Sequence, residues 1–131
     1  MRRQSIFFAR TIVFLITFAL LETTVACGTK DEPSKLSGCT PSKTTAFSFA
    51  TDIQPLFASN CTSCHATTVS GGSRGGAPSD VNYDTYAGAS QKATNGLKRI
   101  VAGTMPPSGG STITTTQQCD IQTWIDAGMA P

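Results

Sequence analysis

Two thiols and an imidazole fall within one five-residue stretch, Cys61-Thr62-Ser63-Cys64-His65. At positions i, i+3 and i+4 the three side chains share one face of a helical turn. Against the edge of a porphyrin, the thiols can add across two vinyl groups while the imidazole reaches back to the iron. This spacing is a signature of c-type haem attachment. Zinc would need a second pair of ligands, and the chain holds no other histidine and no other closely spaced cysteine pair. A thioredoxin-like dithiol would need a preceding strand in a βαβ unit, and a plain disulfide or thiol pair leaves the histidine unexplained.

His65 is the only histidine, so two histidines from this chain cannot ligate one iron. The sixth position falls to methionine, another weak ligand, water or nothing. Beyond the leader the candidates are Met105 and Met129. Met105 lies on a segment stiffened by Pro106 and Pro107, a setting that holds a thioether still. Met129 stands at the chain end, past the last predicted helix, where fraying or packing is its expected role. The sequence therefore predicts one haem c, covalent through Cys61 and Cys64, with His65 and Met105 as axial ligands. A coordinated thioether favours ferrous iron and closes the metal to substrate, which points to electron transfer rather than catalysis. An enzyme with an open sixth position would have only Arg74 and Arg99 as distal polar groups.

Several elements must position these residues. Ile53, Leu56 and Phe57 recur at helical spacing, predicting a helix from about Asp52 into Cys61, capped by Thr51 or Asp52. Residues 70–79 are glycine-rich, lack the spacing of a phosphate-binding loop, and read as a connector. Two short helices follow: one opens near residues 83–85 with Tyr86, Ala89 and Ala93 inward. Asn95-Gly96 breaks it, and Leu97, Ile100 and Val101 mark the second, ended by Gly103. Thr115 and Gln118 make a capping-box pattern for a last helix with Ile121, Trp124 and Ile125 buried and Gly128 as its stop. No strand-like alternation of useful length occurs. The fold class expected is all-α, a few short helices around one flat cofactor.

The start of the chain reads as an export signal. Arg2, Arg3 and Arg10 precede an apolar run over residues 11–21, too short for a bilayer, which needs roughly 17–25 residues. Thr24-Val25-Ala26 supplies small residues for cleavage. Three domains result: a signal peptide over 1–26, a flexible polar tether over 27–46, and a folded domain over 47–131. The leader holds three of the 10 basic residues and one of the 8 acidic ones, so the rest is neutral. The net charge of +2 thus says nothing about nucleic acid, and none is expected as a partner.

The haem motif, Met105-Pro106-Pro107 some forty residues on, and the closing Trp124-Ile125-Asp126-Ala127-Gly128 helix together resemble a class I type cytochrome c. The opening Asp52-Ile53-Gln54-Pro55-Leu56-Phe57 is similar to that of small lipoprotein-borne cytochrome c domains of environmental bacteria, and the resemblance covers residues 47–130. It implies a cytochrome c-like fold whose first and last helices cross, with Phe57 against Trp124. It also implies a proline carbonyl that orients the proximal histidine, for which Pro78 is the candidate. Cys27 stands where a lipoprotein's modified cysteine would stand, although Thr24 departs from the usual leucine; plain cleavage at the same place is the alternative. Cys39 and Cys119 remain, as a disulfide in an oxidising compartment or as two unpaired buried thiols. The expectation is a monomeric carrier on the periplasmic or cell-surface side, held to the membrane by lipid and exchanging electrons with redox proteins. The alternatives are a haem peroxidase or small-ligand reductase, and a redox- or gas-sensing haem module with a labile sixth ligand.

Overall fold

A computed structural model describes residues 36–131. The leader, Cys27 and residues 28–35 lie outside the described residues. A π-helical turn, Phe49–Ile53, runs directly into α1 (Gln54–Asn60). A short 3-10 turn, Gly71–Arg74, precedes α2 (Tyr86–Val101) and α3 (Thr115–Asp126). The chain is all-α, with no strand among the described residues. None of their helices is long and apolar enough to cross a membrane.

The first helical segment starts earlier than Asp52. Ser48 is its cap: its hydroxyl accepts the Thr51 N–H, and its own N–H donates to the Asp52 carboxylate at 2.8 Å. Pro55 lies in the first turn of α1, directly after the π turn, where its ring has the φ of a helix but gives no N–H to the preceding turn. Phe49, Ile53, Leu56 and Phe57 form the buried stripe.

Asn95-Gly96 does not break α2; the two helices expected there are one, capped by Thr85 at its start. Ala89, Ala93 and Leu97, at i, i+4 and i+8, are its buried face. Gly96 is needed for closeness rather than for a turn, since a Cβ built there would meet the Tyr83 hydroxyl at 2.4 Å. The helix does end at Gly103, whose φ of +67° is the left-handed conformation that glycine takes without strain.

The capping box of α3 sits one residue before the predicted pair. Thr114 and Gln117 satisfy each other's backbone N–H groups, while the Gln118 amide donates to the Ile113 carbonyl at 3.1 Å. Trp124 is fully buried, its indole N–H donating to the Ala130 carbonyl at 2.8 Å. α3 packs on α2 and on the π turn. Because that turn extends the first helix backwards, Phe49 is the ring against Trp124, at 6.0 Å between centroids, and Phe57 meets Tyr83 at 4.8 Å. The Phe57–Trp124 ring contact implied by the resemblance is replaced by these two, although all four rings share one core.

Residues 36–46, expected as tether, are fastened to the domain. Leu36 packs on the core and Cys39 is disulfide-bonded to Cys119. The Ser42 N–H donates to Asp120 at 2.7 Å, and the Lys43 ammonium meets Asp52 at 2.6 Å. Polar composition hides this attachment, because a covalent bond and hydrogen bonds hold most of the segment, with Leu36 its one packed aliphatic side chain.

Candidate functional site

α1 delivers the cysteine–histidine motif. The helix ends at Asn60, and Cys61 continues it, its N–H donating to the Phe57 carbonyl at 2.8 Å. The His65 N–H then donates to the Cys61 carbonyl at 2.9 Å, a helix-type bond that closes a turn over the motif. Cys61 and Cys64 are free thiols, each partly exposed. Burial pushes the Cys61 thiol up to about 11, so it stays protonated near neutrality. The same cause raises the neighbouring Tyr83 hydroxyl to about 12.

The imidazole of His65 is held in one orientation. Its Nδ1 lies 3.1 Å from the Val81 carbonyl oxygen. A carbonyl only accepts, so Nδ1 carries the proton and Nε2 keeps its lone pair for another partner. The Tyr83 ring meets the imidazole edge-on at 5.5 Å. Pro78, the residue expected to orient His65, does something else: its carbonyl accepts from Arg74 at 2.7 Å and from the Val81 N–H at 3.1 Å. The glycine-rich loop folds back through turns at residues 72–75, 74–77 and 78–81, and these advance the orienting carbonyl to Val81.

Cys61, Cys64, His65 and Met105 line one cavity of about 880 Å³. Its apolar walls include Phe57, Tyr83, Leu97, Ile100 and Ile113, and Lys98 and Arg99 add basic groups. The Met105 segment is held at both ends, by its own N–H to the Arg99 carbonyl at 3.2 Å and by the Gly110 N–H to the Pro107 carbonyl at 2.8 Å. Met129 packs instead against the core beyond α3, its N–H on the Trp124 carbonyl.

No group of three or more His, Cys, Asp or Glu side chains able to hold a metal ion occurs among the described residues. A bare metal would find too few ligands, whereas a ligand that brings most of its own donors would need only an imidazole and a thioether. Two free thiols beside that imidazole, apolar walls and a basic rim fit a planar apolar ring with acidic substituents. The volume is within the range of small-molecule sites, roughly 300–1,000 Å³.

The sequence offers Arg74 only as a distal polar group and gives no sign of Val81; in the structure Arg74 is bound up with loop acceptors instead. The glycine-rich composition predicts a plain connector, yet Arg74 is only 6% exposed and hydrogen-bonded throughout. The signal present was an arginine among glycines with no acid beside it. Compared with protein families, curated proteins and solved structures, the chain matches none.

Proposed function

We propose that the chain is an exported monohaem c-type cytochrome that carries single electrons. One observation carries this: two free thiols share a cavity with an imidazole whose Nδ1 is committed to Val81, leaving Nε2 for iron. In this reading Cys61 and Cys64 hold the haem by thioether bonds and His65 is the proximal ligand. Met105 would supply the second iron ligand, and Lys98 and Arg99, which line the same cavity, would offer positive charge to the acidic substituents. Bound haem supplies a one-electron ferric–ferrous couple. The protein's part is to fix the ligands and keep water from the ring. The Val81 carbonyl sets the tautomer and basicity of His65. The Met105 thioether favours the reduced state and closes the iron, which supports electron transfer over catalysis.

The test is expression with a c-type haem maturation system. Haem should survive acid-acetone extraction and give a c-type pyridine haemochrome, and Cys61→Ala or Cys64→Ala should leave a single thioether or apoprotein. Haem released by extraction from the wild type refutes the proposal. Anchoring through lipid on Cys27 belongs to the same reading. Wild type should partition into detergent and Cys27→Ser into the aqueous phase; a wholly soluble wild type removes the anchor alone.

A further inference from the structure

Arg74 is an unusual buried cation. Its five N–H groups meet six acceptors: the carbonyls of Ala66, Val69, Ala77, Pro78 and Val81, and the Asn82 side-chain oxygen. No ion pair to Arg74 occurs among the described residues, whose pairs are Lys43–Asp52 and Lys92–Asp80. The charge is therefore solvated by the loop backbone. A guanidinium used only to staple a loop is satisfied by any carbonyls within reach. One of these carbonyls is Val81, which accepts from Arg74 Nη2 at 2.9 Å and from His65 Nδ1 at 3.1 Å. Two donors, one of them a full cation, compete for a single oxygen.

Resting on the haem reading, we infer that Arg74 is a positioning residue that sets the donor strength of His65 through the shared Val81 carbonyl. A lone carbonyl accepting from a metal-bound imidazole makes that imidazole more basic, which stabilises ferric iron. The guanidinium draws the same oxygen's electron density towards itself, so the imidazole N–H is held in place but polarised less. The effect is a higher reduction potential from a residue that never touches haem iron. Asn82 tunes it: Nη2 has two N–H groups and three acceptors, at 2.7, 2.9 and 3.1 Å, so the Asn82 oxygen competes with Val81 for Arg74.

The experiment uses the ferrous and ferric holoprotein, 15N-labelled at histidine. Arg74→Gln should shift the ferric–ferrous equilibrium at least tenfold towards ferric, 59 mV for one electron. In the ferrous state the His65 Nδ1 resonance should move towards the imidazolate value, because its hydrogen bond strengthens. Arg74→Lys, which keeps the charge and loses the fork, should fall between. A lowered potential with an unmoved Nδ1 resonance would reduce Arg74 to a general charge effect. A resonance that moves the other way, with faster exchange of the ring proton, would mean that the arginine only braces the loop. Either overturns the inference. If Arg74→Gln fails to fold, Asn82→Ala decides: it frees Arg74 for Val81 and should raise the potential, whereas an unchanged or lower potential refutes the relay. Wild-type protein without covalent haem overturns the haem reading and the inference together; intact haem with a failed relay overturns the inference alone.

Discussion

Replacing Gly96 by alanine should destabilise the protein, against the ordinary helix preference. In the middle of α2, glycine-to-alanine is worth roughly 1 kcal/mol in favour of alanine. Here the new Cβ would stand 2.4 Å from the Tyr83 oxygen and 3.1 Å from its Cζ, so the ring must retreat by about 1 Å. Tyr83 cannot swing out, being buried with Phe57 on one side and His65 on the other. Overpacking of this kind costs about 1–3 kcal/mol, and the displaced hydroxyl also loses its 3.4 Å contact with the Lys92 carbonyl, worth about 1 kcal/mol at most. The net expectation is a loss of about 1–3 kcal/mol, or a fall in Tm of roughly 4–20 °C for a domain of this size. Thermal and urea unfolding followed by far-ultraviolet circular dichroism would measure it. Thr94→Ala in the same helix, expected to be neutral or slightly stabilising, is the comparison. A Gly96→Ala protein as stable as wild type, or more so, would refute the close-approach explanation of that glycine.

Removing the disulfide with Cys39→Ser and Cys119→Ser should cost about 2–4 kcal/mol in urea unfolding, since the bond closes a loop of sequence separation 80. Alkylation at Cys39 and Cys119 themselves in unreduced native protein, located by peptide mapping, would show the bond absent. Met105→Ala should abolish the sulfur-to-iron charge-transfer band and lower the potential, while Met129→Ala should leave both unchanged; the reverse pattern would exchange their roles. The Lys43 ammonium and the Ser48 N–H hold the Asp52 carboxyl below its ordinary value of 3.8. A lowered folded value means that this contribution is present above pH 3.8 and lost as pH falls through the folded value. Lys43→Ala should therefore raise the Asp52 titration midpoint, read by NMR, and weaken the protein above pH 3.8 but not below the folded value.

Local pattern made much of this fold legible. The stripes Ile53-Leu56-Phe57 and Ile121-Trp124 are buried as their periodicity requires, and the stop at Gly103 follows from a conformation that only glycine adopts freely. What stayed hidden depends on partners distant in sequence. Gly96 reads as a breaker unless Tyr83 is known to lie against it. The attachment of residues 36–46 needs Asp120 and Cys119, some eighty residues away. At the site, the grouping of Cys61, Cys64 and His65 was legible because all three come from one turn. The orienting carbonyl is Val81 and not Pro78, a difference the sequence does not carry because backbone acceptors have no residue signature.

Six different single disulfides could form among Cys39, Cys61, Cys64 and Cys119, and only Cys39–Cys119 leaves both cysteines of the cysteine–histidine motif free. The folded chain sorts them. Thiol–disulfide exchange needs a thiolate, and a Cys61 raised to about 11 is ionised in about one molecule in ten thousand at pH 7. Cys39 and Cys119 are meanwhile held with Cα atoms 5.4 Å apart, within bridging distance. The fold thus brings Cys39 and Cys119 within bridging distance and makes Cys61 a slow attacking thiol, a difference that would matter on the proposed reading, in which Cys61 goes on to bond haem.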